Sequence, residues 1–126
     1  PFRFTPRFPM NTVKPLRLTL ALMANNDPKT ENLMHAIFKA LWVDNRDISS
    51  PEVLTEILKE TEIDVSYLEK ITEPSIKEEL KTRTQEAIDK GVCGAPTYGV
   101  EEMLFWGQDR VGFVEHALKG WRPACG

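Results

Sequence analysis

β-Structure is confined to one short stretch near the end of this 126-residue sequence, and this limits the fold more than any other feature. Residues 97–100 and 103–106 are mostly β-branched or aromatic and are separated by two residues, which is typical of a hairpin. A two-stranded hairpin alone is only marginally stable in water and requires further strands or a helix to cover it. Because the sequence offers no convincing third strand, we predict an α+β fold that is mostly helical.

Apolar spacing and start signals predict the helices. Asn11 or Thr12 caps the first helix, Asp27-Pro28 starts the second, and Ser50-Pro51 starts the third. A longer helix follows Pro74, and Gly91 suits its left-handed C-cap. The predicted buried faces are Val13, Leu16, Leu20 and Met23; Leu33, Ile37 and Leu41, widened by Met34, Phe38 and Trp42; Ile76, Leu80, Ala87 and Ile88; and, in the last helix, Val111, Val114, Ala117 and Leu118.

The composition argues against several functional classes. Hydrophobic residues make up 41% of the chain, enough for a core, and the formal net charge of −3 does not indicate nucleic-acid binding. Residues 1–26 carry four basic and no acidic groups, which suits a solvated face or a region facing an anionic ligand. No apolar run reaches the roughly 18 residues of a membrane span. We predict no nucleic-acid or membrane partner and a cytoplasmic location, with the mitochondrion or peroxisome as alternatives in a eukaryote.

The cysteines and aromatic residues near the hairpin are interpreted as structural. Cys93 and Cys125 form no CxxC pair, and two isolated cysteines make no disulfide framework. Cys93 has no cysteine or histidine beside it in sequence, so we interpret it as a small buried apolar residue rather than a nucleophile. Phe105 and Trp106 are predicted to lie in the core. No metal-ligand spacing is present, and no metal site is predicted.

Four segments, in order along the chain, resemble one family. GVCGAPTY (91–98) and FWGQDR (105–110) are similar to the G-x-x-G-A-P-T-aromatic turn and F-W-G-Q/N-D-R segment of 2-hydroxychromene-2-carboxylate isomerases and kappa-class glutathione transferases, within the DsbA-like thioredoxin superfamily. FPMNT (8–12) resembles the family's F-P-x-N-T/S, and WVDNRDI (42–48) its W-x-x-x-R-D-I. The resemblance covers nearly the whole chain and corresponds to the C-terminal two-thirds of the family.

The resemblance implies a specific division of the chain. Residues 1–14 would be an extended connector, residues 15–90 a helical insertion domain, and residues 91–126 the C-terminal β-β-α half of a thioredoxin-like fold. The first strand and helix of that fold would be absent. In the family, the proline corresponding to Pro96 is cis.

The resemblance also implies glutathione as cofactor and names its contacts. The turn at Pro96 leaves the backbone N–H and C=O of Ala95 free to pair with the glutathione backbone, like an added strand. Gln108 and Asp109 precede the last helix, whose N-terminus suits a carboxylate, while Asp109 can hold the γ-glutamyl ammonium, cap the helix, or do both. Asn11 is equally suited to contacting glutathione or substrate and to capping the first helix.

The activity implied is a glutathione-dependent isomerisation of a small aromatic substrate, in which the glutathione thiolate adds reversibly to a conjugated system. The family's catalytic serine lies after the first strand, and the serines at 49, 50, 66 and 75 match no such motif. We therefore predict no catalytic residue in this chain. The alternatives are a kappa-like transferase, a DsbA-like thiol–disulfide oxidoreductase, and a truncated, non-catalytic interaction domain; a homodimer is a further alternative.

Overall fold

The computed structural model describes residues 4–123, and the chain forms two compact units, Pro1–Thr82 and Arg83–Gly126. The fold is α+β and mostly helical, as predicted. The boundary between the units falls within a long helix, whereas the sequence places the domain boundary at residue 90. The division into connector, insertion domain and β-β-α domain stays a prediction.

The first unit is helical. Its helices are α1 (Val13–Ala24), α2 (Thr30–Trp42), α3 (Pro51–Glu60), the short α4 (Tyr67–Lys70) and the first part of α5 (Pro74–Asp89). α1 packs against α2 and α4, and α3 packs against α2 and α4. The Ser50-Pro51 start is confirmed, because Ser50 Oγ accepts a hydrogen bond from the Val53 N–H at 3.3 Å and Pro51 is the first helical residue.

The predicted start of the second helix is wrong by two residues. α2 begins at Thr30, after a turn in which the Asp27 carboxylate accepts a hydrogen bond from the Lys29 N–H at 2.9 Å. Asp27 therefore closes an Asx turn ahead of the helix, and Pro28 lies within that turn. Asp and Asn side chains can satisfy the backbone two residues on in this way, so turn and cap share the same sequence signal.

The core of the first unit joins α1, α2 and α3. Leu18, Leu22, Leu33, Leu54 and Leu58 are fully buried within it. A smaller cluster of Leu20, Ala21 and Ile76 lies beside it. The predicted buried face of α2 is confirmed for Leu33, Ile37 and Leu41, but Met34 and Phe38 are exposed.

The predicted buried face of α1 is wrong. Val13, Leu16 and Met23 are exposed, and only Leu20 of the predicted set is buried. The buried residues are Pro15, Leu18, Leu20, Ala21 and Leu22. Apolar residues occur on every side of α1, so periodicity alone allowed two faces, and packing against two neighbouring helices selected the other one.

The second unit is a hairpin followed by a helix. Strands β1 (Thr97–Val100) and β2 (Met103–Trp106) pair antiparallel, and a single 3-10 turn (Gln108–Arg110) leads into α6 (Val111–Leu118), which packs on the hairpin. Gly91 ends α5 with φ of 78°, as predicted for its C-cap. At the hairpin turn, Glu101 has φ of 53°, and its carboxylate accepts a hydrogen bond from Arg122 at 2.6 Å.

The predicted buried sides of α5 and α6 hold only in part. Ile76 and Ala117 are buried and Leu80 is partly buried, whereas Ile88, Val111 and Leu118 are exposed. Ile76 packs with Leu20 and Ala21 of α1, whereas α6 packs on a two-stranded sheet whose small face cannot cover every apolar position of that helix. The apolar residues do recur at helical spacing, but the neighbouring surface is too small to bury all of their side chains.

Neighbouring positions on α1 test this packing. Leu22 is 0% exposed and Met23 is 42% exposed. We expect Leu22→Ala to lower the free energy of unfolding by about 2–5 kcal/mol, because it removes buried methyl groups and leaves a cavity. Met23→Ala should change it by no more than about 0.5 kcal/mol. Urea denaturation followed by circular dichroism measures both, and equal losses would contradict the observed orientation of α1.

Candidate functional site

The hairpin register determines which predicted site residues meet. Thr97 lies opposite Trp106, so the residues before β1 and those after β2 emerge at the same end of the hairpin. This places Ala95 and Pro96 beside the chain that continues into Gln108 and Asp109. We call these four residues the hairpin-end site.

One backbone hydrogen bond closes the hairpin-end site. The Gly107 N–H donates to the Pro96 carbonyl at 2.9 Å, one step beyond the last strand pair. Gly107 has φ of 107°, and a Cβ there would collide with the Asp109 carboxylate. Only glycine accepts this conformation easily. Sequence reasoning did not name Gly107 as a site residue, although it lies within FWGQDR, and only its backbone conformation shows why it is needed.

Ala95 keeps its backbone hydrogen-bonding groups free. Ala95 and Pro96 are exposed, and across residues 4–123 neither the N–H nor the C=O of Ala95 has a hydrogen-bond partner. The peptide bond between them is cis. Next to them, the Thr97 hydroxyl donates to the Gly94 carbonyl. The turn is thus held from within, while one donor and one acceptor at Ala95 remain available.

Gln108 and Asp109 follow β2 and provide hydrogen-bond donors and a carboxylate at the same end of the hairpin. Their backbone N–H groups open the 3-10 turn and have no hydrogen-bond partner in the described part of the chain. The Asp109 carboxylate is exposed and lies 3.4 Å from Arg110 Nε. Free N–H groups at the start of a helical segment favour an anion, and a carboxylate favours an ammonium. The site can therefore hold a group that carries both charges.

Trp106 flanks the site and does not lie in the core as predicted. Its side chain is 58% exposed. Its indole lies over Gly94, where an added Cβ would approach Trp106 Nε1 to 2.6 Å. Alternation along β2 leaves Trp106 and Leu104 on the open face, while Phe105 on the opposite face is half-buried.

The prediction for Cys93 is also wrong. Cys93 is exposed and free rather than buried, because the residues between α5 and β1 lie on the surface. Cys125 lies outside the described residues. Within residues 4–123, no cluster of histidine, cysteine, aspartate or glutamate could hold a metal ion. In the same range, no helix is both long enough and apolar enough to cross a membrane.

Asn11 lies in the first unit, just before Thr12, which is the N-cap residue of α1 and makes no side-chain capping hydrogen bond. The Asn11 side-chain oxygen accepts a hydrogen bond from the Val13 N–H at 3.0 Å. This bond closes an Asx turn ahead of the helix, and the Asn11 residue is exposed. A contact from Asn11 to glutathione or substrate stays a prediction.

The WVDNRDI segment holds the first unit together. Arg46 pairs with Glu56 at 2.9 Å and Glu60 at 3.0 Å, which ties the segment to α3. Asn45 Oδ1 accepts from the buried Thr5 hydroxyl at 2.7 Å, which fixes the chain ahead of α1. The segment therefore joins three parts of the unit, a role that its sequence resemblance did not indicate.

Comparisons with known proteins show the family and the fold of the chain. A family model described as the DsbA-like thioredoxin domain matches residues 1–119. The chain belongs to this family. A curated relative, the 2-hydroxychromene-2-carboxylate isomerase of Sphingobium xenophagum, is 28% identical over 99 residues, covering 78% of this chain and 51% of the relative. This chain thus spans about half the length of that relative.

Solved structures show the same fold. A 2-hydroxychromene-2-carboxylate isomerase structure matches with a TM-score of 0.73 and 19% identity, covering 95% of this chain and 58% of the other. The cytosolic disulfide reductase DsbM from Pseudomonas aeruginosa, solved with GSH, matches with a TM-score of 0.67 and 20% identity, covering 87% of this chain and 60% of the other. The members of the family that this chain resembles are thus isomerases and oxidoreductases.

Two neighbouring serines of the first unit each hold a different carboxylate. The Ser49 hydroxyl and N–H donate to Asp47 at 2.6 and 3.0 Å and lower the pKa of Asp47. The Ser50 hydroxyl donates to Glu52 and lowers the pKa of Glu52. Because both pKa values are lowered by folding, the stability they contribute is present above the ordinary carboxyl pKa and is lost as the pH falls through the folded value.

This pairing predicts that each serine variant changes the pKa of one carboxylate only. Ser49→Ala should raise the pKa of Asp47 towards its ordinary value and leave that of Glu52 unchanged, because only the hydroxyl bond to Asp47 is lost. Ser50→Ala should do the reverse. Carboxyl-carbon NMR titrations of the two variants measure both values, and a joint shift of both residues in either variant would refute the assignment.

Proposed function

We propose that this chain provides the glutathione-binding site, which we call the glutathione seat, of a glutathione-dependent isomerase of the 2-hydroxychromene-2-carboxylate type. The observation that carries the proposal is the hairpin-end site, where the free backbone groups of Ala95 lie beside the free N–H groups of Gln108 and Asp109. Two relatives support it: the curated isomerase at 28% identity and the DsbM structure solved with GSH.

Glutathione has groups that match each part of the hairpin-end site. The peptide backbone of its cysteine would pair with the N–H and C=O of Ala95, as a strand adds to a sheet edge. Its γ-glutamyl carboxylate would accept from the N–H groups of Gln108 and Asp109, and its ammonium would pair with the Asp109 carboxylate. Asn11 is a further proposed contact through its amide nitrogen.

The proposed chemistry requires the thiol of the bound glutathione to be ionised. The thiolate adds to a conjugated carbon of a small aromatic substrate, rotation about the resulting single bond follows, and elimination returns glutathione unchanged. Residues 83–126 contain no serine, so the second unit has no hydroxyl of the kind used in the family. In this proposal the second unit binds and orients glutathione, and the group that lowers the thiol pKa comes from elsewhere.

A disulfide reductase is the second candidate, and the DsbM match favours it. It would use the same seat but would oxidise glutathione, because each disulfide reduced takes up two electrons from thiols. A kappa-like transferase would consume glutathione by conjugation. Following the amounts of reduced and oxidised glutathione during turnover separates these three activities, because only the isomerase leaves reduced glutathione constant.

A non-catalytic interaction domain is the remaining candidate. It is supported by the exposed apolar side chains of the second unit, including Leu104, Phe113, Leu118 and Trp121. Exposed apolar surface of this kind commonly marks a protein–protein contact. An interaction domain requires no glutathione binding. A measurement of glutathione binding therefore distinguishes this hypothesis from the glutathione seat.

The charge on Asp109 provides the first test. We expect glutathione to bind the purified chain with saturable heat in titration calorimetry, and Asp109→Asn to weaken binding about 10-fold or more, because the γ-glutamyl ammonium loses a charge-assisted hydrogen bond of about 1.5–3 kcal/mol. Asparagine keeps the shape of the side chain, so the change isolates the charge.

The control is Glu102→Gln, which removes an exposed carboxylate from the hairpin turn at the opposite end of the same strands. It should bind glutathione as the parent does. An equal loss in both variants would indicate a general charge effect and reject the assignment of Asp109. No binding by a chain that circular dichroism shows to be folded would reject a self-sufficient seat and favour the interaction domain.

A further inference from the structure

The turn between β1 and β2 contains a glutamate in a conformation that glutamate rarely adopts. Glu101 has φ of 53°. Two-residue hairpin turns with positive φ favour asparagine, aspartate and glycine, because other side chains crowd the backbone in this conformation. The conformation of Glu101 therefore costs free energy, and contacts from outside the turn are needed to hold it.

One arginine makes these contacts. Arg122 Nη2 donates to the Glu101 carboxylate at 2.6 Å, and Arg122 Nη1 donates to the carbonyls of Ala117 at 3.1 Å and Trp121 at 2.8 Å. Ala117 belongs to the last turn of α6, where the usual helical hydrogen bonds end. The guanidinium carries several donors in one plane, so a single side chain joins the hairpin turn to the end of α6. We call these contacts of Arg122 the Arg122 clamp.

The segment that carries Arg122 is itself fixed to α6. The Trp121 N–H donates to the His116 carbonyl at 3.0 Å, and the ring centroids of Trp121 and Phe113 lie 6.2 Å apart. Gly120 has φ of 92°, which turns the chain back after the helix. Arg122 is thus held in place by its own segment, and this lowers the entropy that the clamp costs to form.

The hairpin depends on such a contact because, in the described part of the chain, its sheet has only two strands. A two-stranded sheet is marginally stable alone, and α6 is the helix that packs on both strands. Glu101 and Arg122 are both exposed, so water competes for their ion pair. Loss of the clamp should therefore open the hairpin locally, while the leucine-rich core of the first unit stays folded.

We propose that the Arg122 clamp controls the opening of the hairpin: while it is closed, β1 and β2 stay paired against α6, and when it breaks they open as a local unit. Arg122 is a positioning residue, because it acts at the end of the strands opposite to the hairpin-end site. The clamp does not rest on glutathione binding. Its consequence for the glutathione seat does, because Ala95 meets Gln108 and Asp109 only while the strands are paired.

Amide hydrogen exchange followed by NMR tests the clamp in the full chain without glutathione. Arg122→Gln should speed exchange of the paired amides of β1 and β2 about 10-fold, because a charge-assisted hydrogen bond is lost, and should leave exchange in α2 unchanged. The matched control is Lys119→Gln, which removes an ion pair with Glu115 at 2.6 Å and leaves the clamp intact. The control should exchange as the parent does, and an equal effect of both variants would overturn the proposal.

A second background separates the clamp from a general effect at the end of α6. Glu101→Gly removes the ion pair and gives the turn a residue that accepts positive φ. In that background, Arg122→Gln should change hairpin exchange by no more than about 2-fold. An equally large effect in both backgrounds would assign Arg122 to the Ala117 carbonyl alone and overturn the clamp. Glu101→Gln keeps the bonds of Arg122 to α6 and should also speed hairpin exchange, so the test stays decisive if Arg122→Gln disrupts the helix.

Glutathione distinguishes the clamp from the seat. Added at saturation to Arg122→Gln, it should slow hairpin exchange towards the parent rate, because it binds only the paired strands. Binding seen by calorimetry without slower exchange would overturn the dependence of the seat on paired strands. No glutathione binding by the parent would reject the glutathione seat and leave the exchange result for the clamp unaffected.

Discussion

The hydrogen bond from the Gly107 N–H to the Pro96 carbonyl is the contact on which the candidate site depends. It extends the hairpin by one step and joins two residues that are 11 positions apart in sequence. The strand register brings Ala95 and the free N–H groups before α6 to the same end of the hairpin, and this bond holds the two segments together there. The positive φ of Gly107 makes this contact attainable, and a side chain there would collide with Asp109.

The first unit depends on a different kind of constraint. Its leucine-rich core is shared by α1, α2 and α3. The Asn45–Asp47 turn links the chain before α1 to α3, because Asn45 bonds Thr5 and Arg46 pairs with Glu60. The Arg46–Glu60 ion pair lies near the surface and contributes little to stability, whereas the Thr5 hydroxyl that bonds Asn45 is buried. Among the described residues, Leu16 of α1 and Met34 and Phe38 of α2 remain exposed outside this core.

Sequence reasoning succeeded where local rules act alone. The hairpin, the Ser50-Pro51 helix start and the glycine C-cap at Gly91 each depend on a few adjacent residues, and the structure contains all three. Sequence reasoning failed where the burial of a side chain depends on which neighbouring element packs against it. Val13, Leu16, Ile88 and Trp106 carry apolar side chains in regular positions, yet they are exposed, because no neighbouring element in the described chain covers them.

The sequence alone therefore determined the element types, the mostly helical α+β class and, through four short motifs, the DsbA-like family. It also named the residues at the hairpin end, because those motifs are contiguous in the chain. Only the tertiary structure decided which face of α1 is buried, that Cys93 and Trp106 are exposed, and that Gly107 joins the two halves of the site. The physical reason is that burial and contact are properties of pairs of elements, and a periodic pattern in one element does not specify its partner.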